Sequence, residues 1–387
     1  MKNKNKLIRI TTVPVSLKTL LKGQHQFMSK HYEVIGISSE GKELRDVQNL
    51  EGIRVIPLHM TRIISPLKDL KSLWELFKIL KKERPLIVHS HTPKAGVVAM
   101  LAAKLAGVPC RLHTVAGLPL MEATGVKRKL LDFVEQLTYK CSTKVFPNSN
   151  GLCDFILKNN FTKKEKLKVI SNGSSNGINT SYFDPKLFSD NDIKTSQTNL
   201  GITLEDFVFI FVGRIVADKG INELILAFKK LSLKVDNVKL LLVGPLESDL
   251  DPLTPETLQV IVDNKNIISV GYQNDVRSYF AISDALVFPS YREGFPNVVM
   301  QAGAMGLPCI VTNINGCNEI VIEGKNGTII PVKDSDAIFK AMLKIVSNDA
   351  YRIHLQKKAR PMIVSRYEQR IVWEAILAEY KSLEQNV

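Results

Sequence analysis

Two cations, one carboxylate and one amide carry the most chemistry in this sequence. In FVGRIVADKGINELILAF, residues 211–228, an apolar strand-like run ends at Gly213, Arg214 and Lys219 follow, and a helical pattern opens near Asp218. A cationic loop that runs into a helix start is a seat for a phosphate or diphosphate, because the unpaired N–H groups of a first helical turn and the helix dipole both favour an anion. The loop has neither the GxxxxGK of a Walker motif nor the GxGxxG dinucleotide fingerprint, and two surface cations beside an ordinary loop fit it equally well. In REGFPNVVMQ, residues 292–301, Glu293 falls in a loop and Gln301 eight positions later in the following helix. The backbone near Phe295, Asn297 and Val298 would offer N–H groups to an anion, whereas Pro296 has none to offer. Glu293 also reads as an acid favoured at a helix start by ~0.3–1 kcal/mol, with Gln301 an ordinary helix residue.

The elements that must position these residues follow an α/β grammar. Short β-branched runs at 7–12, 32–38, 53–58, 86–90, 110–115, 143–148 and 167–171 alternate with helical patterns at 17–30, 66–83, 93–106, 127–140 and 150–159. The grammar repeats with strands at 207–213, 238–244, 266–271, 284–290, 308–313 and 327–332, and helices at 334–347, 351–365 and 368–385 close the chain. Ser65-Pro66 and Thr92-Pro93 each pair a cap residue with a first-turn proline. The expected architecture is two doubly wound, Rossmann-like α/β domains, 1–182 and 183–367, joined near the polar stretch 181–192. In such sheets ligands bind beyond the carboxyl ends of the strands, where the two chemical loops lie.

Composition narrows the function classes. The chain has 387 residues and a formal charge of +14. Residues 1–185 hold 30 Lys and Arg against 14 Asp and Glu, while 186–387 hold 22 against 24, so the whole excess lies in the first half. That half should be drawn to an anionic surface, or simply be well solvated. No aromatic-basic interleaving supports nucleic acid as the partner. Five cysteines without CxxC spacing read as buried thiols in a reducing compartment and argue against a metal site. The basic N-terminus is interrupted by Arg9, Thr11, Thr12 and Pro14, unlike a signal peptide, and no run reaches the ~18 apolar residues of a membrane span. The expectation is a cytoplasmic protein. His89 and His91 are read as pointing to opposite faces of a strand end, which argues against a shared metal. The helix at 65–85, with apolar residues at 67, 70, 73, 76, 77 and 80, is read as core packing.

An ordered set of motifs adds a resemblance: HSHTPKAG (89–96), RLHTVAGLP (111–119), VFPNSNG (145–151), NGSSNGIN (172–179), VGRIVADKGI (212–221), VGYQNDV (270–276) and EGFPNVVMQA (293–302). Together they resemble the family-4 retaining glycosyltransferases of the GT-B fold, in particular bacterial enzymes of capsule and surface-polysaccharide synthesis. The resemblance implies two domains facing across a cleft, the last helix (368–387) returning to the first domain, and a nucleotide-sugar donor, with UDP ahead of GDP. Arg214 and Lys219 match the family's diphosphate-binding pair, and Glu293 matches the acid on the donor-sugar hydroxyls. Gly213, Gly294, Phe295, Asn297 and Val298 fall in the donor loops, Gln273 where main chain meets the nucleobase, and His113 where a histidine reaches the transferring sugar. Val15 and Ser16 occupy a loop that in many relatives carries paired glycines, which are missing here. Gln301 replaces the usual second acid on the ribose hydroxyls, at a cost of ~1 kcal/mol in donor binding. The resemblance further implies metal-independent retention, no cofactor, and a polyprenyl-diphosphate-linked acceptor. The segment 118–133, with Leu118, Leu120 and Met121 ahead of Lys127, Arg128 and Lys129, is either a peripheral contact with the anionic inner face of the membrane or an exposed loop. The competing readings are a non-catalytic sugar-nucleotide-binding subunit and a sugar-nucleotide 2-epimerase.

Overall fold

The computed structural model describes residues 4–61, 65–121, 123–247, 249 and 251–385. Glu122 of the 118–133 segment and residues 386 and 387 of the expected closing helix lie outside them. The chain divides into two compact units, one comprising Met1–Gly177 with Gln369–Val387 and the other Ile178–Glu368.

Each unit is built on a six-stranded parallel sheet. In the first unit the strands are β1 (Lys6–Ile10), β2 (Glu33–Ser38), β3 (Arg54–Pro57), β4 (Ile87–Ser90), β5 (Cys110–Val115) and β6 (Lys144–Pro147). In the second they are β7 (Phe207–Val212), β8 (Val238–Val243), β9 (Ile267–Ser269), β10 (Ala285–Phe288), β11 (Cys309–Thr312) and β12 (Gly327–Ile330). The orders β3-β2-β1-β4-β5-β6 and β12-β11-β10-β7-β8-β9 are the same doubly wound arrangement. It reverses direction between β1 and β4, and between β7 and β10. The strands read as near-continuous apolar runs because helices cover both faces of each sheet; β7 is Phe-Val-Phe-Ile-Phe-Val, buried along all but its last residue. A crevice opens at such a reversal, because the loops leaving the two central strands turn to opposite sides.

Several local features differ from the sequence expectations. The helix expected at 17–30 is two helices, Pro14–Leu20 and Gln24–Ser29, broken at Gly23 with φ 79°. Val15 and Ser16 therefore lie in a first helical turn rather than in an open loop. The run at 167–171 forms no strand; Leu167 makes a single bridge to Val145. Helices Lys42–Glu51 and Asp190–Asn199 went unread, the second opening on a full capping box from Ser189 to Asp192. Pro66 and Pro93 do start helices, but neither Ser65 nor Thr92 caps with its side chain. The Thr92 hydroxyl instead lies 2.8 Å from that of Thr12 and accepts from the Thr12 N–H at 3.0 Å, joining the loops after β1 and β4.

The core-packing reading of the helix Pro66–Glu83 holds for only part of it. Leu76 and Leu80 are buried against the sheet, but Leu67 is 85% exposed, Leu70 64% and Trp74 56%. An apolar stripe wider than the sheet can cover leaves its margin in water. The opposite-faces reading of His89 and His91 is also overturned: their ring centroids are 4.1 Å apart. Residues two apart in extended chain project to the same side, so this pair was bound to meet.

Candidate active site

The candidate site of the second unit lies at the reversal between β7 and β10. After β7 the backbone leaves through Gly213 and passes so close to Gly244, at the end of β8, that a Cβ on Gly244 would sit 1.8 Å from the Gly213 carbonyl oxygen. Only glycine permits that approach. Ile215 then bridges Leu246, and the Arg214 guanidinium reaches Glu247 at 3.1 Å. A tight turn, Ala217–Lys219, ends at Gly220 with φ 71° and feeds the helix Ile221–Ser232. A Cβ on Gly220 would lie 2.2 Å from the Pro289 carbonyl oxygen, so this turn is pressed against the loop after β10. The Tyr291 N–H donates to the Asp218 carbonyl at 2.9 Å, and Arg292 pairs with the Asp218 carboxylate at 2.9 Å.

These contacts bring Lys219 and Glu293 together. Lys219 Nζ stands 2.5 Å from Glu293 Oε1, both side chains being more than four-fifths buried. The Ser290 hydroxyl lies 3.1 Å from the same carboxylate oxygen. Asn315 Nδ2 donates to the carbonyls of Glu293 and Gly294 at 3.1 and 2.6 Å. Gly316, φ 77°, backs the loop so closely that a Cβ there would be 2.7 Å from the Gly294 carbonyl oxygen and 2.9 Å from Phe295 Cα. The helix Asn297–Ala304 follows, with Pro296 at its cap position and no side chain capping it. Its first N–H groups are left for a ligand or water. Phe295 packs against Tyr367, Asn297 is exposed, Val298 is half-buried, and Gln301 lies half-buried in the second turn. Gln273, in the loop after β9, donates from Nε2 to the Val270 carbonyl at 2.8 Å, which fixes the turn's backbone. Cys317, buried beside this group, has its thiol pushed well up by burial and by the Glu293 charge.

Arg214, Lys219, Glu293 and the 294–298 segment thus share one reversal of one sheet. His113, Val15 and Ser16 belong to the first unit. His113 is buried within β5, its Nδ1 2.8 Å from the Ser90 hydroxyl, and burial pushes its pKa down to about 4. Gly96, in the helix Pro93–Ala106, lies over the ring; a Cβ there would be 2.5 Å from His113 Cε1. Ser290, Asn315 and Gly316 were not singled out from sequence. Ser290 sits three residues before Glu293 and could have been suspected, but Asn315 and Gly316 reach the loop from beyond the next strand and leave no spacing signal.

Two family models fit the chain, one described as glycosyl transferases group 1 over residues 192–362 and one as glycosyl transferase 4-like domain over residues 29–173. A capsular polysaccharide biosynthesis glycosyltransferase of Staphylococcus aureus, CapM, is 35% identical over 99% of this chain and 98% of its own length. The chain belongs to this glycosyltransferase family. An Escherichia coli UDP-Gal:α-D-GlcNAc-diphosphoundecaprenol α-1,3-galactosyltransferase is 31% identical, covering 93% of each chain. Among solved structures, Anabaena HepE in complex with UDP and glucose superposes with a TM-score of 0.80 at 18% identity, over 98% of this chain and all of the other. The fold of this glycosyltransferase is GT-B. Among the described residues no helix is long and apolar enough to cross a membrane.

Proposed function

We propose that this glycosyltransferase moves a hexose from a UDP-sugar, with retention of configuration, to a polyprenyl-diphosphate-linked saccharide in capsular polysaccharide assembly. The observation that carries the reading is the Lys219–Glu293 pair beside an uncapped helix start, at the reversal of the second sheet. Lys219, Arg214 and the N–H groups of Asn297 and Val298 would hold the donor diphosphate and stabilise the charge that develops on it as the sugar leaves. One fixed donor of that kind contributes about 2.7–4 kcal/mol to a barrier. Glu293, held by Lys219 and Ser290, would accept hydrogen bonds from hydroxyls of the sugar. The Gln301 amide oxygen would take the ribose hydroxyls, and the backbone near Gln273 the base. His113, neutral by burial, would offer the transferring sugar a hydrogen bond without charge. The charges on Arg214 and Lys219 meet the diphosphate's need for cations, so the reaction is proposed to run without a metal or cofactor.

The acceptor and the membrane contact rest on the first unit's charge and on its exposed apolar side chains. Leu67, Leu70 and Trp74 on the helix Pro66–Glu83, and Val126, Leu130 and Phe133 on the helix Gly125–Cys141, are exposed among lysines. Trp74 stacks on Phe77, with Lys78 over its ring. Apolar side chains interspersed with cations suit an anionic bilayer surface. The deciding experiment incubates the purified chain with a panel of nucleotide sugars and a diphosphopolyprenyl-linked acceptor. A new α-linked lipid product supports the proposal. Tight nucleotide-sugar binding with neither transfer nor slow hydrolysis would make the chain a binding subunit, and epimerised donor would make it an isomerase.

A further inference from the structure

The loop that carries Glu293 is gripped through its carbonyl oxygens. One Asn315 amide reaches two of them, Nδ2 donating to the Glu293 carbonyl at 3.1 Å and to the Gly294 carbonyl at 2.6 Å. Two carbonyl acceptors at one side-chain end demand an N–H donor, so the amide nitrogen and not its oxygen faces them. Asn315 is half-buried in the turn between β11 and the helix Cys317–Ile320. That turn is itself held, by the Asn313 N–H on the Ile330 carbonyl at 2.7 Å and the Asn318 N–H on the Ile314 carbonyl at 3.1 Å. Gly316 presses on the same carbonyl side of the loop, where a Cβ would stand 2.7 Å from the Gly294 oxygen. In a planar trans peptide the carbonyl and the following N–H point opposite ways. With the carbonyls of Glu293 and Gly294 turned to Asn315, the N–H groups of Gly294 and Phe295 are therefore turned away from it. Both residues are half-buried, and among the described residues neither N–H makes a hydrogen bond within the protein. Half-buried N–H groups without a protein partner need water or a ligand.

We propose that Asn315 is a positioning residue for the donor sugar: by holding two carbonyls it aims the N–H groups of Gly294 and Phe295 at oxygen atoms of the sugar that Glu293 engages. The inference rests on the donor site proposed above. A sugar hydroxyl that donates its proton to the Glu293 carboxylate keeps its own lone pairs, and the two N–H groups next along the chain meet them. The diphosphate has other donors, in Arg214, Lys219 and the N–H groups of Asn297 and Val298. The effect of Asn315 should accordingly fall on the sugar and spare the nucleotide.

The test measures calorimetric binding of UDP, UDP-glucose, UDP-galactose and UDP-N-acetylglucosamine to the full chain and to its Asn315→Asp and Asn315→Ala variants, with a thermal melt of each. Asn315→Asp keeps the shape but has no N–H to donate, and Asn315→Ala removes the side chain without adding a charge. Both variants are expected to lose about tenfold in affinity for the tightest-binding nucleotide sugar, the worth of two hydrogen bonds, while UDP affinity stays within about twofold. Unchanged affinity for the nucleotide sugar overturns the inference and leaves the donor site standing. An equal loss for UDP and for the nucleotide sugar makes Asn315 a support of the whole loop and also overturns it. A wild-type chain that binds none of the four sinks the donor site itself, and the inference with it. If neither variant folds, a wild-type crystal with that nucleotide sugar decides: sugar oxygens within hydrogen-bond distance of the Gly294 and Phe295 N–H groups are expected, and N–H groups left on water overturn the inference.

Discussion

Lys219 Nζ and Glu293 Oε1 stand 2.5 Å apart although 74 positions separate them in sequence, each in the loop that follows a strand flanking the sheet reversal. The carboxylate of the pair is steadied by the Ser290 hydroxyl at 3.1 Å, and under the proposed function the pair would set a diphosphate and a sugar side by side.

Removal of the ammonium should stop the reaction without unfolding the chain. Lys219→Ala is expected to lower kcat/KM by about 100-fold or more, the loss seen when one charge-stabilising donor is deleted. Steady-state kinetics and a thermal melt on the same sample check this. Near-normal kcat/KM would remove Lys219 from the donor site.

Under the proposed function Gln301 would offer the ribose an uncharged acceptor where the family resemblance implies an acid. Gln301→Glu is expected to tighten binding of UDP and UDP-sugars by ~1 kcal/mol, about fivefold, through charge-assisted bonds to the ribose. Calorimetric titration with UDP measures it. Unchanged or weaker binding would place the ribose elsewhere.

Acid should destabilise the first unit from an unusually high pH. His25, His89, His91 and His113 have folded pKa values below the ordinary 6.5, at about 3 for His25 and about 4 for His113. Their contribution is fully present above pH 6.5 and is lost as pH falls towards the folded values, each by up to about 1.4 kcal/mol per pH unit. Glu135 acts in the opposite sense, since burial raises its carboxyl to about 7 and so lowers stability as pH rises from about 4.5 to 7. Four groups outweigh one, so the urea midpoint should fall between about pH 7 and pH 5. In Glu135→Gln the fall should be steeper; a flat profile would contradict the buried neutral cluster.

Exposed apolar side chains on the first unit should carry a membrane contact. Sedimentation with phosphatidylglycerol vesicles is expected to bring down the wild type and much less of the triple variant Leu70→Ser, Trp74→Ser, Phe133→Ser. Neutral phosphatidylcholine vesicles should retain little of either. Equal binding by the variant would leave the charge alone responsible.

Much of this was legible because parallel strands buried on both faces announce themselves as unbroken β-branched runs. β7, β8 and β10 fall within a residue or two of their expected limits. The placement of Arg214, Lys219 and Glu293 in loops beyond β7 and β10 could be read because such loops leave polar residues between apolar runs. Contacts between distant loops could not be found. Asn315 and Gly316 are set against 293–296 by the β10–β11 pairing, which a linear pattern does not encode. Thr92 looked like a cap and is engaged with Thr12 instead, and the buried Arg9 lay hidden inside the run LIRI.

A crystal structure with a bound UDP-sugar tests the central assignment most directly. The diphosphate oxygens should lie within hydrogen-bond distance of Lys219 Nζ, the Arg214 guanidinium and the N–H groups of Asn297 or Val298, with Glu293 on the sugar hydroxyls. A diphosphate bound away from Lys219 and from the start of the helix Asn297–Ala304 would contradict it.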